Sequence, residues 1–222
     1  MKQKLTKELI EYFEEYVTLH KQQLISTILS KRTRHLTVVL EDIFKPHNAS
    51  AVIRTCECLG IQDLHVIEQV NSYAPNPYVT RGATKWMSLY NYSDSASCLA
   101  SLKDKGYRIA VTTPDENAIS YKEFDLSKPF AMVFGTEFTG VSDAVKEQAD
   151  EFIYIPMVGF TESLNISVSA AILLEEFSSR LRETDVKWEL TSEEKTELTL
   201  IWYKNIVKRS ELLEQRFLSE KN

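Results

Sequence analysis

The chain has 222 residues, 43% of them hydrophobic and 26% charged, with 26 Lys and Arg against 32 Asp and Glu for a net charge of −6. That is long enough for one α/β domain with a substantial core plus short extensions. No apolar run approaches the roughly 20 residues of a bilayer span and no secretory signal opens the chain, so a cytoplasmic protein without a membrane partner is expected.

Residues 3–30 carry Leu5, Leu9, Phe13, Val17, Leu24 and Ile28 near helical spacing among Lys, Glu and Gln. The pattern predicts one amphipathic helix. Residues 1–35 are locally basic, with seven Lys or Arg against four Glu, and Lys31, Arg32 and Arg34 form the densest run. Local excess matters more to a polyanionic partner than the net sum, although such a run is more often a solvated helix end. Leu36 to Leu40 is a β-branched stretch that predicts a buried strand. Residues 49–59 then read as a helix with Ala49, Val52, Ile53 and Cys56 inward, Asn48 at its N-cap and Gly60 at its end. Arg54 neighbours Val52 and Ile53 in sequence, so a partly buried guanidinium in need of a partner is expected.

Further strands are predicted at 64–67, 86–92, 108–112, 130–134 and 152–155, and further helices at 93–104, 142–149 and 164–182. The stretch 70–82, holding Pro75 and Pro77, reads as a long loop and a candidate mobile element. Residues 185–189 separate the core from a tail. There Thr191 and Glu194 have capping-box spacing ahead of a helix bearing Leu198, Trp202, Ile206, Leu213 and Phe217. Near-continuous apolar strands alternating with helices predict an α/β fold, with a mostly parallel sheet covered on both faces and flanked by terminal helices. The expected division is a helical extension at 1–35, a core domain at 36–182 and a helical tail at 183–222.

Cys56, Cys58 and Cys98 are odd in number, and His20, His35, His47 and His65 are scattered, so neither a disulfide framework nor a metal site is expected. Three loops at carboxyl ends of strands, where open α/β sheets bind ligands, are richer in chemistry. They are Lys45-Pro46-His47-Asn48 running on to Arg54, Gly135-Thr136-Glu137-Phe138-Thr139-Gly140, and Ile155-Pro156-Met157 running on to Ser163-Leu164-Asn165. Taken singly, each is better explained by caps and turns. The chain has neither a G-x-G-x-x-G nor a G-x4-G-K-[ST] phosphate loop.

In this order and spacing the loops resemble the signature motifs of the SpoU branch of the SPOUT RNA methyltransferases. The matching residues are Asn48 with Arg54, then Gly135, Glu137 and Gly140, then Ile155-Pro156-Met157 with Ser163-Leu164-Asn165, Ser167 and Ala170. The likeness spans roughly residues 36–180. It implies a C-terminal trefoil knot, otherwise nearly absent from proteins, a homodimer with the third-motif region at its interface, and S-adenosylmethionine as cofactor. It also implies methylation of a ribose 2′-hydroxyl. Lys45-Pro46-His47-Asn48 and Arg54-Thr55-Cys56 running to Gly60 are similar to members that act on guanosine 18 in the D-loop of tRNA. The alternatives are the tRNA wobble position, ribosomal RNA, or a non-catalytic RNA-binding protein.

The resemblance assigns roles residue by residue. Thr112, Val133, Gly135, Ile155, Met157 and Leu164 would cradle the cofactor. Arg54 would act on the 2′-hydroxyl, as a base or as a charged stabiliser of the alkoxide. Asn48, Glu137, Ser163 and Asn165 would position Arg54 and the ribose, with Glu137 equally able simply to fix its loop. Lys31, Arg32, Arg34, Lys45, Arg180 and Arg182 are expected to meet RNA phosphates. Glu162, where relatives carry glutamine, adds a negative charge beside the third motif.

Overall fold

The structure, a computed structural model, describes residues 2–71, 76–115, 117–136 and 139–221. It divides into two compact units, residues 33–188 and residues 1–32 with 189–222. The expected three segments therefore become two, because the N-terminal and C-terminal helices share a core.

The larger unit holds a seven-stranded sheet of β1 (Leu36–Glu41), β2 (Asp63–Ile67), β3 (Ser88–Tyr92), β4 (Arg108–Thr112), β5 (Ile119–Ser120), β6 (Phe130–Phe134) and β7 (Glu151–Tyr154). The order across the sheet is β3-β2-β1-β6-β4-β7-β5 and each recorded pairing is parallel. Side chains alternate across a strand, and here both faces are buried. Leu36, Val38 and Leu40 of β1, with Phe130, Met132 and Phe134 of β6, enter one apolar cluster, while Val39, Ala131 and Val133 enter the other. The first cluster also takes Val52, Ile53 and Cys56 of α3 (Pro46–Cys58) and Leu173, Leu174 and Phe177 of α7 (Ile166–Arg182). The second takes Cys98, Leu99 and Leu102 of α5 (Ser95–Asp104) and Val145 of α6 (Asp143–Gln148). A four-residue helix, α4 (Pro77–Thr80), lies in the stretch read as loop, and a single 3-10 turn at Ala83–Lys85 follows it.

In the smaller unit the expected single helix is two, α1 (Lys2–Glu14) and α2 (Leu19–Leu29). Thr18 caps α2 by accepting from the amide of Lys21, and Gln22 Nε2 donates back to the Val17 carbonyl at 2.8 Å. The tail is α8 (Ser192–Ile206), opened by the expected Thr191/Glu194 capping box, and α9 (Ser210–Glu220), entered through Arg209 at φ 57. Leu9, Phe13, Ile25, Leu29, Leu198, Trp202 and Phe217 are buried, and Tyr12 meets Phe217 at 5.2 Å between ring centroids.

Candidate functional site

In a parallel sheet every strand ends on the same edge, so the loops that follow adjacent strands gather there. β1, β6, β4 and β7 are neighbours whose ends lie level: Leu40 is opposite Phe134, Val111 opposite Val133, and Thr112 opposite Ile153. All three motif loops and Thr112 therefore share one edge of the sheet.

The first loop departs from expectation at its start. Pro46 occupies the first helical turn of α3 and Lys45 the cap position, without a side-chain bond. Asn48 thus lies inside the helix, only 5% exposed, and its Oδ1 accepts from Asn165 Nδ2 at 3.4 Å. Asn165 also caps α7, accepting from the amide of Ser167 at 2.9 Å and its hydroxyl at 2.7 Å. One amide side chain therefore closes the first turn of α7 and joins the third motif to the first.

Arg54 is exposed, which corrects the expected partial burial. Successive helical residues are about 100° apart, so Val52, Ile53 and Cys56 take the core and Arg54 turns outward in a stripe with Ala51, Thr55 and Cys58. That stripe lines a hollow of about 650 Å³ with Tyr78, Arg81, Ala171 and Glu175 among its other walls. No described residue bonds the Arg54 guanidinium. None of the six residues expected to cradle the cofactor lines this hollow.

The second loop is drawn tight. Thr136 and Gly140 exchange backbone bonds of 2.9 and 3.1 Å. A Cβ on Gly135 would stand 2.2 Å from the Gly140 carbonyl carbon and 2.3 Å from the Val141 nitrogen. Glu137 lies outside the described residues. Just past the loop, Ser142 donates to Glu41 through its amide at 2.8 Å and its hydroxyl at 2.6 Å, and Ser95 donates to the same carboxylate at 2.6 Å. Glu41 is 2% exposed. Sequence reading missed it, although a carboxylate ending an apolar strand was the available signal.

Of the expected cradle, Val133 and Gly135 are buried, Thr112, Ile155 and Met157 half-buried, and Leu164 exposed. Thr112 donates to the Val133 carbonyl at 3.4 Å. From Ile155 to Leu164 no backbone bond ties the segment to another described residue. Its amides and carbonyls remain available to a ligand, and Ser163 stands exposed among them.

The expected basic footprint shrinks. Arg32 is 0% exposed with its guanidinium 5.2 Å over the Trp202 ring, so a phosphate contact there is withdrawn: a buried guanidinium cannot reach RNA. Arg34 grips Asp63, Nε to Oδ2 at 3.0 Å, while burial pushes the Asp63 carboxyl up against the opposing pull of Arg34. Arg180 donates to the Tyr121 and Phe124 carbonyls, and Arg182 to those of Ser178 and Leu59. These arginines spend donors on holding the fold. Lys31 and Lys45 are exposed. Among the described residues no group of three His, Cys, Asp or Glu could hold a metal ion, and no helix is long and apolar enough to cross a membrane.

The sequence profile of the SpoU rRNA methylase family matches residues 35–175. A tRNA (guanosine(18)-2′-O)-methyltransferase of Borreliella burgdorferi is 40% identical over 205 residues, covering 92% of this chain and 94% of the relative. One of the same description from Thermus thermophilus is 38% identical, over 68% of this chain and 78% of its own. The crystal structure of the Aquifex aeolicus TrmH/SpoU tRNA modifying enzyme superposes with a TM-score of 0.76 at 30% identity, covering 85% of this chain and 98% of that one.

Proposed function

The chain belongs to the SpoU rRNA methylase family, and from that premise we propose that it transfers the methyl group of S-adenosylmethionine to the ribose 2′-hydroxyl of guanosine 18 in tRNA. One observation carries the reading: Asn165 bonds Asn48 across the first and third motifs, while Arg54, six residues on, presents to a ligand-sized hollow a guanidinium that no described residue bonds. Such hollows commonly span a few hundred to about 1,000 Å³.

The cofactor, when bound, supplies an already electrophilic sulfonium methyl. Thr112, Val133, Gly135, Ile155, Met157 and Leu164 would hold it. The residues fit: Gly135 leaves no room for a side chain, and the backbone of 155–164, bonded to no described residue outside it, offers donors and acceptors for adenine and the methionine end. What remains for the protein is alignment and charge. Fixing two reactants in a near-attack geometry is worth about 7–11 kcal/mol in well-oriented model systems. A guanidinium stays charged in proteins, so Arg54 serves as a fixed positive charge beside the developing alkoxide rather than as a base, and the proton leaves to an RNA phosphate or to water. Asn48, Ser163 and Asn165 orient that charge and the sugar, and Lys31 and Lys45 meet RNA phosphates.

The protein works in the cytoplasm as a homodimer with a trefoil knot in its core domain. Support for the dimer comes from the third-motif loop, where Val158 and Phe160 are fully exposed and Leu164 and Val168 also face solvent, apolar surface that a second copy would cover. Arg54→Lys tests the central role. Its kcat should fall about 100-fold or more while the Kd for S-adenosylmethionine by calorimetry stays within about threefold. Near-normal turnover would remove Arg54 from the chemistry.

A further inference from the structure

We propose that the hollow beside Arg54 is a seat for one nucleotide of a looped RNA strand, with Tyr78 as its stacking platform and Arg81 as its phosphate partner, held in place by Asp42 and Ser50. This rests on the methyl-transfer reading and adds to it the surface that presents the sugar.

Tyr78 is 88% exposed and lines the same hollow as Arg54. An aromatic ring left to solvent beside a cationic wall suits a nucleobase unstacked from its neighbours, since sequence-specific RNA recognition targets splayed loop bases stacked on aromatic side chains. Arg81 is exposed, and no described residue bonds its guanidinium. Arg54 and Arg81 face a single carboxylate, Glu175, across the lining, so the wall keeps a positive excess suited to a phosphodiester.

Residues 69–71 and 76 are each tied by side chains at or near the first motif. Asp42 Oδ1 accepts from three successive amides, Gln69 at 2.8 Å, Val70 at 2.8 Å and Asn71 at 3.2 Å, and Asn71 Nδ2 returns a bond of 3.0 Å to the Asp42 carbonyl. At the far end, Ser50 Oγ accepts from the Asn76 amide at 3.0 Å and Asn76 Oδ1 caps α4 through the amide of Tyr78 at 3.0 Å. Asp42 precedes the first motif and Ser50 lies within it. The residues that anchor the platform therefore belong to the stretch that carries Lys45, Asn48 and Arg54. Asp42 and Ser50 are positioning residues; Tyr78 and Arg81 touch the RNA.

The test uses the full-length protein with an unmodified tRNA transcript, reading both methyl transfer and tRNA retention on filters. Tyr78→Ala should raise KM and tRNA Kd about 10- to 100-fold, the range expected for losing one base–aromatic stack, with kcat at saturating tRNA and the Kd for S-adenosylmethionine little changed. Tyr78→Phe should recover most of that loss, because stacking needs the ring and not the hydroxyl. Arg81→Ala should reduce the slope of log Kd against log salt by about one. Asp42→Ala should raise tRNA KM as Tyr78→Ala does while donor affinity holds, which separates misplacement of the seat from collapse of the domain. Unchanged tRNA Kd in Tyr78→Ala would overturn the proposal, as would a shift from dimer to monomer on sedimentation, which would mean that a second copy fills the hollow. Should the wild type bind tRNA yet transfer no methyl, the methyl-transfer reading falls alone, and the filter measurements still decide the seat.

Discussion

Replacing Gly135 with alanine puts the packing of the second motif to a quantitative test. A Cβ there would sit 2.2 Å from the Gly140 carbonyl carbon, 2.3 Å from its oxygen and 2.3 Å from the Val141 nitrogen. Non-bonded carbons rest at about 3.5–4.0 Å, so the overlap exceeds an ångström. All three obstacles are backbone, and no side chain can rotate away. The loop must open, which threatens the two Thr136–Gly140 bonds of 2.9 and 3.1 Å, each worth about 0.5–1.5 kcal/mol net. Strain of this kind adds about 1–3 kcal/mol. The expected outcome is a loss of about 2–4 kcal/mol in unfolding free energy by urea titration, and donor binding weakened about tenfold or more by calorimetry. Gly159→Ala is the control for stability, since a Cβ there meets nothing within 4 Å, and its urea titration should match the wild type. If Gly135→Ala melts and binds donor like the wild type, the second loop is not the tight wall described above.

Two further expectations concern stability. Burial, helped by Lys105, holds the His65 imidazole down at about 4 against an ordinary 6.5, with the ring stacked 4.8 Å from that of Tyr90. The unfolded chain therefore takes the proton first as pH drops, so this contribution is intact above about pH 6.5 and is lost between 6.5 and 4. The loss reaches about 3 kcal/mol. Urea titrations across that window should show the slope in the wild type and a flatter one in His65→Phe; equal slopes would contradict it. Glu41→Ala leaves Ser95 and Ser142 without the acceptor that takes three of their donors, and should cost about 3 kcal/mol or more of unfolding free energy. A cost below about 1 kcal/mol would show that the carboxylate does not hold the second loop to β1.

Much of the fold could be read in the residues, and the failures have physical causes. Leu36 to Leu40 and Phe130 to Phe134 are apolar at every position because both sheet faces are covered, and that pattern by itself indicates a parallel sheet. The Thr191/Glu194 box announced α8 because both partners of the cap are polar and spaced by three. Thr18 caps α2 without a glutamate three residues on, so the break between α1 and α2 left no such mark and the apolar spacing ran straight through it. Pro46 at the start of α3 was the overlooked sign that Asn48 lies inside the helix and is free to bond Asn165. Arg54 was misjudged because sequence neighbours on a helix point about 100° apart, so adjacency to Val52 and Ile53 says nothing of shared burial. The basic run at 31–35 illustrates the limit of charge counting. Arg32 and Arg34 are committed to Trp202 and Asp63, partners that lie far along the chain or beyond the run, which composition does not register.

The most direct test of the methyl-transfer account is to incubate purified protein with S-adenosylmethionine and an unmodified tRNA transcript, then locate the added methyl by nuclease digestion and mass spectrometry. The account predicts one new methyl on the ribose of guanosine 18, absent when Arg54→Ala is used. A methyl on a base, on another nucleotide, or at the same level with Arg54→Ala would contradict it.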